Sequence, residues 1–100
     1  MKIELIKFGE TLISRPAGRE AFLALSANQL RDLNPKELIE IDFSGVKVMG
    51  PSWADEVITK IAEKYKNYKL SNTENSSVQA TLKTLQDYSG LKQATPSKKT

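Results

Sequence analysis

The stretch Ile41-Asp42-Phe43-Ser44-Gly45-Val46-Lys47-Val48-Met49-Gly50-Pro51-Ser52-Trp53-Ala54-Asp55-Glu56 decides how this chain folds. It reads as a buried strand, a tight turn at Ser44-Gly45, a short apolar extended piece, and a second turn that launches a helix. The strand starts upstream, since Leu38-Ile39-Glu40-Ile41-Asp42-Phe43 is apolar enough to be central. The helix runs from Trp53 to about Tyr65, with Ala54, Val57, Ile58, Ile61, Ala62 and Tyr65 on one stripe at ~100° per residue. Ser52 and Asp55 have the spacing of a capping box with aspartate in place of glutamate. Trp53 falls ~110° from the centre of the stripe, so it flanks the core face. There it acts either as a lid over the sheet edge, packed on Met49 or Pro51, or as an exposed interface anchor.

Working outward, Ile3 and Leu5, with the Ile6–Phe8 end, fit a half-buried strand. Thr11-Leu12-Ile13 follows the Gly9-Glu10 turn as a short second strand or a lead-in. Ser14 caps a helix with Pro16 in its first turn, and the helix continues to Asn28 or Leu33 before Asn34-Pro35 stops it. Tyr68-Lys69-Leu70-Ser71 is a last strand and Asn72-Thr73-Glu74-Asn75 a polar loop. The final helix spans Ser76 to Asp87 or Tyr88, with Val78, Leu82 and Leu85 inward and Gly90 as its stop. This alternation predicts an α/β fold, with a mixed, mostly parallel sheet of about four strands and three helices. One domain over residues 1–91 is expected, followed by a disordered basic tail, 92–100, with almost no apolar content.

Composition narrows the chemistry. The chain has no cysteine, hence no disulfide, thiolate nucleophile or sulfur-ligated metal. It also has no histidine, the commonest general base and transition-metal ligand. The net charge of +3 comes from Lys92, Lys98 and Lys99 in the last ten residues, which hold no acid. The first ninety residues balance twelve basic against twelve acidic side chains, so no basic face for nucleic acid is expected on the folded body. The N-terminus alternates like a strand instead of reading as a signal peptide, and no stretch reaches the ~20 apolar residues of a membrane span. A cytoplasmic protein is the expectation. Asp42, Asp55 and Glu56 lack an accompanying phosphate loop or nucleophile elbow. No catalytic residue, metal site or cofactor is therefore expected.

Two sets of residues could still carry function. In open α/β sheets ligands sit at the carboxyl ends of the strands. Here Ser44, Gly45, Gly50, Asn72, Thr73 and Asn75 occupy those ends, suited either to an anion or simply to turns and caps. Arg15 and Arg19 lie one turn apart at the start of the first helix, where cations oppose the macrodipole. Asp55 or Glu56 on the neighbouring helix is the expected internal partner of Arg15, and Arg19 is left open to an external one.

The opening segment also resembles the STAS superfamily, the fold of anti-sigma-factor antagonists, and in particular the bacterial and archaeal STAS-like domains of unknown function. The matching residues are Ser14-Arg15, Ile41-Asp42-Phe43-Ser44-Gly45-Val46, Ala54-Asp55-Glu56, and Val78 with Leu82, spanning the chain to about Leu91. The resemblance implies a regulatory domain whose partner is a histidine-kinase-type ATPase. In antagonists a serine in the turn before the second helix is phosphorylated by that partner. Pro51 takes the acceptor's place here and Ser52 follows it, so phospho-switching is not expected. The combined expectation is a non-catalytic protein-interaction module using Arg15, Arg19, Pro51, Ser52 and Trp53. A small anion- or nucleotide-binding domain using the strand ends is the alternative. The oligomeric state is left open.

Overall fold

Each helix carries the chain back to the same end of the next strand, and every strand pairing is consequently parallel. The computed structural model describes residues 1–88 and 91. The expected helix stop at Gly90 and the basic tail 92–100 lie outside the described residues.

Strand β1 (Lys2–Glu4) leads into a 3-10 turn, Leu5–Phe8, and β2 (Thr11–Leu12) precedes helix α1 (Arg15–Ala27). Strands β3 (Ile39–Asp42) and β4 (Val48–Met49) flank the Ser44-Gly45 turn. Helix α2 covers 51–64, then β5 (Tyr68–Ser71) and α3 (Ser76–Tyr88) complete the fold. The strands form two sheets, β1-β3-β5 and β2-β4, so among the described residues there are five strands in place of the expected four or so. The residues Ile6–Phe8, expected to extend the first strand, instead turn away as 3-10 helix and carry the chain to the second sheet.

Register sets the core. Ile3, Ile41 and Leu70 stand side by side across the three strands, and Val57, Ile58 and Ile61 of α2 are buried in the same cluster. Glu4, Asp42 and Ser71 are aligned at the carboxyl ends, which places all three strand ends on one edge. Ser14 caps α1 as its sequence requires, its hydroxyl accepting from the Ala17 N–H at 3.2 Å. That helix closes at Ala27, earlier than Asn34-Pro35 would impose, because Asn28 leaves the helical conformation and its side chain bonds the Ala24 carbonyl.

Helix α2 is not regular. It begins with an α turn, Pro51–Ala54, widens into a π segment, Asp55–Thr59, and ends with an α turn, Lys60–Lys64. A π segment absorbs one extra residue, so the residues before it rotate by up to ~100° relative to those after it. This rotation overturns the reading of Trp53 as a flanking or exposed residue. Trp53 is only 1% exposed and its ring lies 6.1 Å from that of Phe8. The ~100° period assumed for the whole helix is broken between Trp53 and the rest of its stripe.

The short strand β4 has β2 on one edge and α3 on the other. Met49 donates its N–H to Ser77 Oγ at 3.0 Å, while its carbonyl accepts from Ser77 Oγ at 3.1 Å and Thr81 Oγ1 at 2.6 Å. Helix side chains thus complete a strand edge and fix α3 against the turn into α2. Ser77→Ala removes the acceptor of the Met49 N–H and should cost about 1 kcal/mol, the lower end for a part-buried group. Thr81→Val should cost less, because Ser77 still donates to the same carbonyl. Paired urea melts of the two variants measure the difference.

Candidate functional site

The turn into α2 starts from Gly50, which is extended and donates its N–H to the Leu12 carbonyl at 2.8 Å. Pro51 enters the first helical turn, where a missing N–H is tolerated. The expected capping box does not form: Gly50 is the cap residue, and among the described residues no side chain caps this helix start. Ser52 lies already inside the helix and exposed, so its hydroxyl is on the surface instead of folded back on the backbone.

Beside this turn, α1 and α2 share a charge cluster. Arg15 Nη1 donates to Glu56 Oε2 at 2.7 Å and to Asp55 Oδ2 at 3.1 Å, the internal pairing the sequence suggested. Lys60 Nζ donates to Glu56 Oε1 at 2.6 Å and also sits 5.4 Å over the Phe22 ring. Arg19 Nη2 lies 3.7 Å from Glu56 Oε2. Three cations therefore surround one carboxylate whose side chain is only 8% exposed. Hydrogen bonds from Lys60 and then Arg15 hold the Glu56 carboxyl down at about 2, against an ordinary 4.5, despite its burial. Arg15 is pushed up in turn by Glu56 and Asp55.

A second depressed carboxyl sits on the strand-end edge. Asp42 Oδ1 accepts from Asn72 Nδ2 at 2.8 Å and from the Ser44 N–H at 3.0 Å, and Lys2 Nζ lies 3.4 Å from Oδ2. The Asn72 hydrogen bond is the main cause that brings Asp42 from 3.8 to about 2. Both carboxyls have lowered folded-state values, so their contribution is complete above the ordinary values and lost as pH falls toward 2. Thermal stability should be flat with respect to these groups above pH 4.5 and fall between 4.5 and about 2. A melting-temperature series over that range should show a shallower fall for Glu56→Gln than for the parent.

The other members of the strand-end set are largely engaged internally. Gly45 takes a φ of 85° to make the turn, and Asn72 a φ of 57° with its amide on Asp42. Asn75 caps α3 by accepting from the Ser77 and Val78 N–H groups, while its amide bonds the carbonyls of Val46 and Lys47. Thr73 is half-buried in the same loop, and Ser44 is exposed. What that edge presents at its centre is an ionised carboxylate, which disfavours an anion there.

The turn before α2 and the end of α3 enclose an open groove of about 210 Å3, lined by Arg15, Pro51, Ser52, Asp55, Thr84, Leu85 and Tyr88. Tyr88 is 86% exposed. Arg15, Pro51 and Ser52 thus meet as expected, with Arg19 one turn along α1, while Trp53 is withdrawn beneath them as support. Sequence reading missed Thr84 and Tyr88. Tyr88 follows Leu85 by three residues, a spacing that put it on the same helix face, but the approach of that face to Pro51 depends on the tertiary fold. Among the described residues no three His, Cys, Asp or Glu side chains group as a metal site, and no helix is long and apolar enough to cross a membrane.

Comparison with known proteins adds one finding. The model of a family described as "STAS-like domain of unknown function (DUF4325)" matches residues 24–78, more than half of the chain, from the last turn of α1 through β3, β4, α2 and β5 to the first turn of α3. No curated protein and no solved structure matches the chain significantly.

Proposed function

The chain belongs to the family of STAS-like domains, and from that premise we propose that it is a non-catalytic regulatory module that works by binding another protein. The groove between the start of α2 and the end of α3 supports this reading most directly. It is open, it combines the exposed apolar surface of Pro51 and Tyr88 with the hydroxyl of Ser52 and the guanidinium of Arg15, and its walls are helices. Exposed aromatic and arginine side chains over a fixed scaffold are the usual anchors of a protein interface. A histidine-kinase-type ATPase is the partner that resemblance to the wider superfamily suggests. The proposal includes a cytoplasmic setting, in keeping with a chain that has no cysteine for disulfides.

The competing anion- or nucleotide-binding role would use the strand-end edge, where Asn72, Asn75 and the Ser44 N–H already serve internal acceptors. Affinity capture from the native cell separates the two. A partner held by the parent should be lost with Ser52→Arg and with Tyr88→Asp, and kept with Thr73→Glu, which alters the strand edge without removing the Asn72 hydrogen bond to Asp42. Retention by both groove variants, or heat on titration with ATP or phosphate in a calorimeter, would turn the assignment toward the strand edge.

A further inference from the structure

Resting on the interaction reading above, the geometry points to an acidic segment of a protein partner, with carboxylates bracketing an apolar side chain, as what this rim takes up.

The charges at the α1–α2 seam do not cancel at the surface. Arg15, Arg19 and Lys60 side chains are 43%, 58% and 42% exposed, whereas Asp55 and Glu56 are 34% and 8% exposed. Among the described residues solvent therefore meets mainly cations, although the cluster holds three positive and two negative groups. Every hydrogen bond of Arg15 passes through Nη1, leaving the Nε and Nη2 donors without a protein acceptor among the described residues. The Arg19 side chain approaches Glu56 only as an ion pair at 3.7 Å and makes no hydrogen bond among the described residues. A guanidinium edge with two parallel N–H donors is the geometry that a carboxylate fits bidentately.

The shape of the rim selects a peptide over a small anion. The cations are spread along two helices, with Arg15 and Arg19 one turn apart on α1 and Lys60 one turn beyond Glu56 on α2. Arg15 lines an open groove, and among the described residues the interleaved carboxylates limit the local surplus to one charge. A phosphate would find no nest there, while an extended segment could place successive carboxylates on successive cations. Arg15 also belongs to the groove, so the same segment can set an apolar side chain against Pro51 and Tyr88. Nucleic acid is a poor fit, because the first ninety residues are balanced in charge.

The test uses the full chain and three sets of short fluorescein-labelled peptides: Glu or Asp around Leu or Phe, the same with Gln or Asn, and the same with Lys. The acidic set should bind, and the amide and lysine sets should bind at least about tenfold more weakly, as expected when charge-assisted contacts are lost. Binding should weaken as ionic strength rises from about 0.1 M to about 1 M, where the Debye length shrinks from ~10 Å to ~3 Å. Arg19→Ala should cost about tenfold in affinity while leaving the melting temperature unchanged, because its exposed side chain has one long contact. Equal binding of the acidic and amide sets, no binding of the acidic set, or indifference to Arg19→Ala would overturn the proposal. So would displacement of the acidic set by millimolar inorganic phosphate at constant ionic strength, which would mark a small-anion site. Groove-dependent capture of a native partner alongside failure of the acidic peptides would overturn only this chemistry and leave the interaction module standing.

Discussion

Trp53→Ala should lower the free energy of unfolding by about 3–5 kcal/mol, the usual range for removing a buried tryptophan. The side chain is 1% exposed and packs at a tilt on Phe8 in the 3-10 turn after β1. It therefore ties the turn into α2 to the far end of the first strand. A domain of this size has about 5–15 kcal/mol in total, so the loss would leave a large unfolded fraction on modest warming. Urea unfolding with circular dichroism measures it. A near-neutral result would mean that the indole is not buried and that the exposed-anchor reading of the sequence was the better one. Any loss of partner binding in this variant would follow from unfolding, which is why it belongs among the scaffold tests and not among the interface tests.

Gly18→Ala should also destabilise, by roughly 1–3 kcal/mol. On propensity alone the sign would be opposite, since alanine in a helix interior gains about 0.5–1 kcal/mol over glycine. The position decides otherwise. A Cβ built on Gly18 would stand 2.7 Å from the Trp53 carbonyl oxygen, 3.0 Å from its Cα and 3.1 Å from Glu56 Cβ. Two of these neighbours are backbone and cannot rotate away, so α1 and α2 must move apart. The separation would also lengthen the Arg15 and Arg19 contacts to Glu56 that build the charged seam. The variant should therefore show both a lower unfolding midpoint and altered amide shifts along 52–60. Increased stability would contradict the close approach.

Much of the scaffold was legible because it depends on local chemistry. Ser14 and Pro16 start α1 where capping rules place them, and the apolar rows of β3 and β5 fall where their residues predict. The Arg15 pairing with Asp55 and Glu56 was legible too, since cations at a helix start need an offset and the neighbouring helix start offered carboxylates as candidate partners. Trp53 was misread because a π segment leaves no mark in composition, and one broken turn moves a residue from rim to core. The capping role given to Ser52 failed because the helix begins at Pro51, two residues before the expected start at Trp53. Ile6–Phe8 alternated convincingly yet turned away, because the second sheet claims the chain that follows. The groove's far wall, Thr84 to Tyr88, needed the tertiary fold to meet Pro51 and Ser52.

The most direct measurement of the central claim is amide chemical-shift mapping of the isotope-labelled chain as a captured partner is added. A docking rim at the α2 start predicts shifts concentrated at Arg15–Arg19, Ser52, Asp55–Lys60 and Thr84–Tyr88, with Trp53 following as their support. Shifts concentrated instead at Ser44, Gly45 and Asn72–Asn75, with the rim unmoved, would contradict it.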